Sequence, residues 1–193
     1  MNTYVKFHAS CRHSHPAVDA ILDILRQSPI QHQDVEKVDV YTYRSAVKLI
    51  DSKQVTTPIS GKMSLPYSAA VAIFHGKVGL DEFKPKMLND RDVRALMDRV
   101  DVHQDPELDR LVPDHRGARA EIQLKDGRKL TSQILDPKGE PENPGSETDL
   151  YDKFRMLAGM VLKADRVKKL LERIEGLEKM KDLSGLTSLL AGK

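Results

Sequence analysis

An α+β fold is the expectation for this chain: a small antiparallel sheet with packed helices, followed by C-terminal helices. Three observations predict it. Residues 118–124 and 129–135 read as two strands flanking Lys125-Asp126-Gly127-Arg128, and Asp-Gly marks a tight hairpin turn. Residues 35–43 add a third strand candidate, rich in β-branched and aromatic positions. Apolar residues at i, i+3, i+4, i+7 spacing then bracket the sheet on both sides: Val18, Ile21, Leu22 and Leu25 before it, Leu150, Phe154, Leu157 and Val161 after it. The boundary between the α+β part and the helical end falls near residue 145, giving segments 1–145 and 146–193.

Each element has a local reason. Pro16 suits the first helical position of a 16–27 helix, with His15 as its cap, and Ser28-Pro29 ends it. Residues 45–50 form a short helix. Residues 51–62 contain Thr, Ser, Pro and Gly without a period and read as an exposed loop. Residues 63–75 are apolar nearly all round, which predicts the most buried helix of the fold, closed by Gly76 as a C-cap. Residues 80–83 start a short turn. Residues 90–100 form a helix with Val93, Leu96 and Met97 on one face and Asn89 or Asp90 as cap. Residues 100–103 form a brief strand. Residues 136–146, with three prolines and two glycines, are a loop. Ser146-Glu147-Thr148-Asp149 supplies capping chemistry for the next helix. Val167, Leu170, Leu171 and Ile174 define another helical face, and a weaker pattern continues to Ala191. These last helices carry more apolar surface than a small sheet needs.

Composition excludes several classes. The 193 residues can bury a real core. A net charge of +2, with 31% charged residues, implies no electrostatic draw to nucleic acid. No run approaches the ~20 apolar residues of a membrane span. The start lacks a signal-peptide apolar region and the single Cys11 forms no internal disulfide, so a cytoplasmic location is the simplest expectation.

The chemistry-bearing residues cluster at the start. Lys6, His8, Cys11, Arg12, His13 and His15 precede the first helix, and three of the seven histidines lie between positions 8 and 15. Cations and imidazoles at a helix start suit anions: the helix N-terminus adds about half a positive charge and free N–H groups. The bland alternative is that the histidines cap the helix and meet solvent. A metal site is disfavoured because His13-x-His15 is a poor helical ligand pair and no acidic partner stands near in sequence. Cys11 reads as a small packed side chain. Tyr67, Lys62 and Ser64 gather at the start of the apolar helix; Tyr67 alone fits a core tyrosine with a bonded hydroxyl equally well.

At this point a family resemblance enters. The stretch Lys6-Phe7-His8-Ala9-Ser10-Cys11-Arg12-His13-Ser14-His15-Pro16-Ala17-Val18-Asp19-Ala20 resembles the MmgE/PrpD family. The likeness continues through Lys62-Met63-Ser64-Leu65-Pro66-Tyr67-Ser68-Ala69-Ala70, Asp126-Gly127-Arg128, Pro137-Lys138-Gly139-Glu140-Pro141-Glu142-Asn143-Pro144 and Lys153-Phe154. The family includes 2-methylcitrate dehydratase, cis-aconitate decarboxylase and iminodisuccinate epimerase. The resemblance implies an α+β lid over residues 1–145, helices over 146–193 that complete an all-helical domain, and an N-terminal helical domain outside this sequence. It implies proton transfer on di- or tricarboxylates without a cofactor or metal, by a lyase or isomerase. Lys6, His13, His15 and Tyr67 fall on its motif positions and are the expected catalytic residues; Arg12, Lys62 and Ser64 are expected to bind the substrate. Chemically, Lys6 and Arg12 suit carboxylates, His13 and His15 titrate near neutrality, and Tyr67 can donate to a developing oxyanion. These groups are expected to form one wall of a polyanion pocket, inactive alone. Cys11 stands where cis-aconitate decarboxylase has His, which leaves substrate and reaction subtype open. The expected partners are a polycarboxylate and either a second copy or the helical domain, with no nucleic acid and no membrane. The competing reading is a non-catalytic truncated paralogue or interaction subunit that requires a separate helical partner.

Overall fold

The computed structural model describes residues 3–191. The chain divides into two compact units, Met1–Pro144 and Gly145–Lys193.

In the first unit, helix α1 (His15–Gln27) leads to strand β1 (Val35–Thr42). Five short helices follow: α2 (Arg44–Ile50), α3 (Pro58–Lys62), α4 (Leu65–His75), α5 (Pro85–Leu88) and α6 (Arg91–Met97). Strand β2 (Val100–Gln104), helix α7 (Pro106–Arg110) and the hairpin β3 (Ala118–Leu124) and β4 (Lys129–Ile134) complete it. The strand order is β2-β1-β3-β4.

The fold is α+β, as expected, and the sheet is mainly antiparallel with one parallel pair. β1 pairs antiparallel with β3 and β3 with β4, but β1 and β2 run parallel, with Val38 opposite Val100 and Thr42 opposite Gln104. The reason is the connection. Antiparallel neighbours can close through a two-residue turn, whereas a parallel neighbour needs a crossover, and the helices from α2 to α6 provide it.

Burial alternates along the strands. Val35, Val38 and Val40 of β1 and Ala118, Ala120, Ile122 and Leu124 of β3 are fully buried. Helix α1 packs over β3 and β4, and α4 packs beside α1, α6 and β2. Helix α4 is buried from Leu65 through Ile73, as its all-round apolar sequence predicts. Its Ala69, Ala70 and Ala72 let neighbouring backbones approach, while each fully buried Leu, Ile or Val contributes ~1.5–3 kcal/mol. Gly76 ends it at φ +67°, a left-handed conformation that glycine adopts without a Cβ penalty.

Other sequence expectations shift locally. Residues 58–62 are helical rather than loop, because Thr57 and Ser60 form a reciprocal capping box and Pro58 takes the first helical position. Pro85 and Pro106 open α5 and α7 in the same way, and Asp105 caps α7 through the Glu107 and Leu108 amides. The N-cap of α1 is Ser14, not His15, and its side chain makes no capping bond. The Ser14 hydroxyl instead donates to the Cys11 carbonyl at 2.8 Å and shares a bond with Ser10.

The second unit holds α8 (Glu147–Ala158), α9 (Ala164–Glu175) and α10 (Ser184–Leu190). Ser146 and Asp149 form the capping box of α8. α9 packs on both other helices and buries Val167, Leu170 and Leu171. No residue of α8 is buried, and Met156, Met160 and Val161 are exposed, Val161 by 83%. Among the described residues no helix is long and apolar enough to cross a membrane.

Candidate active site

The N-terminal arm is tied down at three points. The Val5 amide donates to the Gly139 carbonyl at 2.9 Å, Ala9 to Val78 at 2.9 Å, and Cys11 to Lys62 at 2.8 Å. One extended segment therefore joins three stretches far apart in sequence: the α3–α4 junction, the loop at Val78 and the proline-rich turn at 137–144. Gly139 makes the last junction possible. Its φ is +100°, and a Cβ there would lie 2.0 Å from the Val5 carbonyl oxygen.

His13 occupies a 3-10 turn (Arg12–Ser14) just before α1. Its Nδ1 shares a 2.5 Å hydrogen bond with the Tyr43 hydroxyl. Tyr43 follows β1 directly and is fully buried, and burial pushes its phenol up to about 12. His13 is half-buried, and its pKa is lowered by burial first and then by Arg116 and Arg12. Both partners are therefore neutral at neutral pH. With the proton on tyrosine, Tyr43 donates and His13 carries a proton on Nε2; with His13 donating through Nδ1, Nε2 is a bare base. Nε2 has no protein partner among the described residues. The pair thus presents one orienting contact on the inside and one proton-transfer atom on the outside.

His15 is placed differently. It is 1% exposed, and neither ring nitrogen reaches hydrogen-bond geometry with a protein group. Its pKa falls to about 3, mainly through burial and then through His8, Arg12 and Lys6; the nearby Ser10 backbone favours the charged form but offsets little of this. Its ring meets His8 edge-on, with centroids 5.0 Å apart. His8 in turn donates to Asp19 Oδ1 at 2.7 Å, and Asp19 Oδ2 accepts the Lys138 amide at 2.7 Å. Asp19 on α1 so anchors both the arm and the 137–144 turn.

The predicted binding groups separate into free and committed ones. Lys6 is exposed and makes no bond with a described residue. Arg12 is paired with Glu140, both side chains mostly buried, while its Nη1 is buried without a partner. Burial lowers the Arg12 pKa. Lys62 is half-buried with its ammonium 5.9 Å from the Phe83 ring centroid. Ser64 caps α4 by accepting the Tyr67 amide at 3.1 Å and donates to the Ser52 carbonyl at 2.5 Å. Tyr67 is fully buried, and its hydroxyl donates to the Glu82 carbonyl at 2.7 Å. In this arrangement Ser64 and Tyr67 have internal partners, and Tyr67 Oη is held inside the core. Arg12, His13 and Lys62 lie along the tied arm, with Lys6 exposed at its outer part.

Sequence reading passed over Tyr43 and Arg116, and it quoted Asp19 and Glu140 without a role. None carries a local signal. Tyr43 ends a plain strand thirty positions from its partner, and Asp19 lies on a helix eleven positions from His8. Among the described residues no three His, Cys, Asp or Glu side chains are arranged to hold a metal ion. A cleft of about 40 Å³ opens beside Arg12, Arg116 and Glu140, too small for a tricarboxylate.

The MmgE/PrpD C-terminal domain pattern matches residues 8–179. A cis-aconitate decarboxylase-like protein, oryM, of Aspergillus oryzae is 27% identical over all of this chain and 41% of its own length. Cis-aconitate decarboxylase of Homo sapiens is 28% identical over 79% of this chain and 32% of its length. The Aspergillus terreus enzyme of that name is 28% identical over 96% of the chain and 40% of its length. The chain therefore spans about two fifths or less of the curated relatives it matches. With that pattern matching residues 8–179, the chain belongs to the MmgE/PrpD family and carries its C-terminal domain.

Proposed function

We propose that this chain forms the cation- and imidazole-bearing wall of a lyase or isomerase site that moves a proton beside a carboxylate of a di- or tricarboxylate. The observation that carries the reading is the His13–Tyr43 pair: a neutral imidazole held from behind at 2.5 Å, with its far nitrogen unpartnered and cations around it. A neutral base is what abstraction of a C–H proton requires, and nearby cations favour the enolate-like charge that develops. Lys6 and Lys62 supply positive charge for carboxylates. His15, buried and neutral, supports the floor of the arm. Tyr67, bonded to Glu82, acts by packing unless that turn opens.

Among substrates, cis-aconitate is favoured over 2-methylcitrate, because the similar proteins bear the name cis-aconitate decarboxylase. Loss of carbon dioxide leaves a carbanion that must be reprotonated, and His13 gives that proton as the imidazolium, a minor form at neutral pH that its lowered pKa makes a stronger acid, returning to neutral imidazole. The opposite wall belongs to sequence that the relatives have beyond the matched part, and the exposed apolar face of α8 suits a helical partner or a second copy. The chain by itself would leave a substrate half-solvated. Positioning accounts for ~7–11 kcal/mol in well-oriented reactions, so turnover by this chain alone should be negligible.

The test is a thermal-shift and turnover screen with cis-aconitate, 2-methylcitrate and iminodisuccinate. Cis-aconitate should give the largest stabilisation, without product. A larger shift with 2-methylcitrate would move the reading to a dehydratase. Rapid turnover by the chain alone would overturn the one-wall geometry, and no binding of any of the three would overturn the site.

A further inference from the structure

We propose that Arg116 is the guanidinium that binds a substrate carboxylate beside His13, and that its backbone is mounted at two points to hold it there. This deepens the polycarboxylate reading and rests on it.

Arg12 is the obvious fork in the sequence, but Glu140 already occupies it. Arg116 is exposed and makes no hydrogen bond or ion pair with any described residue. Carboxylates are not lacking, since Asp114, Asp136, Glu140 and Glu142 line the same small cleft. Two of them are taken: Asp136 by His115 and Glu140 by Arg12. A guanidinium that leaves the remaining ones unpaired retains its whole fork for a ligand.

The mount is specific. On one side of Arg116, the His115 ring donates to Asp136 with both carboxylate oxygens at 2.9 Å, and the His115 amide donates to the Leu111 carbonyl at 2.8 Å. On the other side, Gly117 lies so close to the end of β4 that a Cβ would sit 2.8 Å from the Ile134 carbonyl oxygen. The Gly117 carbonyl accepts the buried Thr42 hydroxyl at 2.9 Å. Thr42 immediately precedes Tyr43, the residue that holds His13. Two adjacent residues at the end of β1 thus tie the root of Arg116 and the ring of His13 to one rigid point. Arg116 and Arg12, the neighbour of His13, line the same cleft, and burial first and then the Arg116 charge lower the His13 pKa.

The consequence is a division of labour. Arg12 with Glu140 is an internal strut that fixes the arm to the 137–144 turn. Arg116 is the open fork, and His115 is a positioning residue.

The experiment uses the full chain with citrate as probe. Titration calorimetry compares the wild type, Arg116→Gln, Arg116→Lys and Arg128→Gln, the last an exposed hairpin arginine away from the arm. Proton NMR follows the His13 ring through pH in the same variants. Arg116→Gln should weaken citrate binding at least tenfold and raise the His13 pKa. Arg116→Lys should keep the low His13 pKa but recover only part of the affinity, because a point charge replaces a fork. Arg128→Gln should change neither. Wild-type binding with an unaltered Arg116→Gln affinity would overturn this inference and leave the polycarboxylate reading standing. An unchanged His13 pKa in Arg116→Gln would also overturn it. Absence of citrate binding by the wild type would overturn both.

Discussion

His15 makes the stability of this protein depend on pH in a direction that can be worked out. Its pKa falls from 6.5 in the unfolded chain to about 3 in the fold, first because of burial and then because His8, Arg12 and Lys6 repel a second charge. The unfolded chain therefore binds the proton that the folded chain refuses, and stability falls as pH falls. The contribution is fully present above about pH 6.5 and is lost progressively down through about pH 3. At ~1.36 kcal/mol per pH unit the whole span is on the order of 4–5 kcal/mol. Between about pH 8 and pH 5 the loss is about 2 kcal/mol, a large share of a marginal total. His13 acts in the same direction, and His115, whose pKa is raised by Asp136, acts in the opposite one. The substitution His15→Phe isolates the effect. It keeps a ring against His8 and removes two buried nitrogens that have no partner. Urea unfolding at the two pH values should show the wild type losing about 2 kcal/mol more than the variant. Equal losses in the two proteins would mean that His15 is protonated or hydrated in the fold, and the reasoning would fail.

Two further outcomes test the scaffold. Gly139→Ala should destabilise by ~2–4 kcal/mol, from backbone strain plus the contact with the Val5 carbonyl, whereas Gly76→Ala, with nothing near its Cβ, should cost only about 1 kcal/mol; thermal unfolding of the two variants side by side checks the difference, and equal shifts would remove the close-approach argument. Asp19→Asn should release the 137–144 turn and speed exchange of the Lys138 amide about tenfold, matching one charge-assisted bond of ~1.5 kcal/mol; an unchanged exchange rate would show that the turn is held by other contacts.

Several features were legible in the sequence because they are local. The hairpin at Asp126-Gly127, the all-round apolar α4 and the capped α8 each follow from neighbours a few residues apart. The motif stretches also revealed the family before any geometry, since motifs survive as strings. Loop-like composition misled at residues 58–62, where the same Thr, Pro and Ser build a helix cap. The parallel pairing of β1 and β2 was not legible, because strand direction depends on where the crossover helices pack rather than on the strand's own pattern.

The site divides in the same way. Residue types, their clustering and the family resemblance together nominated Lys6, Arg12, His13, His15, Lys62, Ser64 and Tyr67 from the string. Which of them remains available was decided only by tertiary structure. Glu140, 128 positions from Arg12, takes its charge, and the Glu82 carbonyl takes the Tyr67 hydroxyl. Tyr43 reaches His13 across the end of a strand, while Thr42 and Asp136 hold Gly117 and His115, the two neighbours of Arg116. Sequence determines what each side chain can do. A hydrogen bond or an ion pair saturates that capacity, and its partner is chosen by distance in the fold, which separation along the chain does not encode.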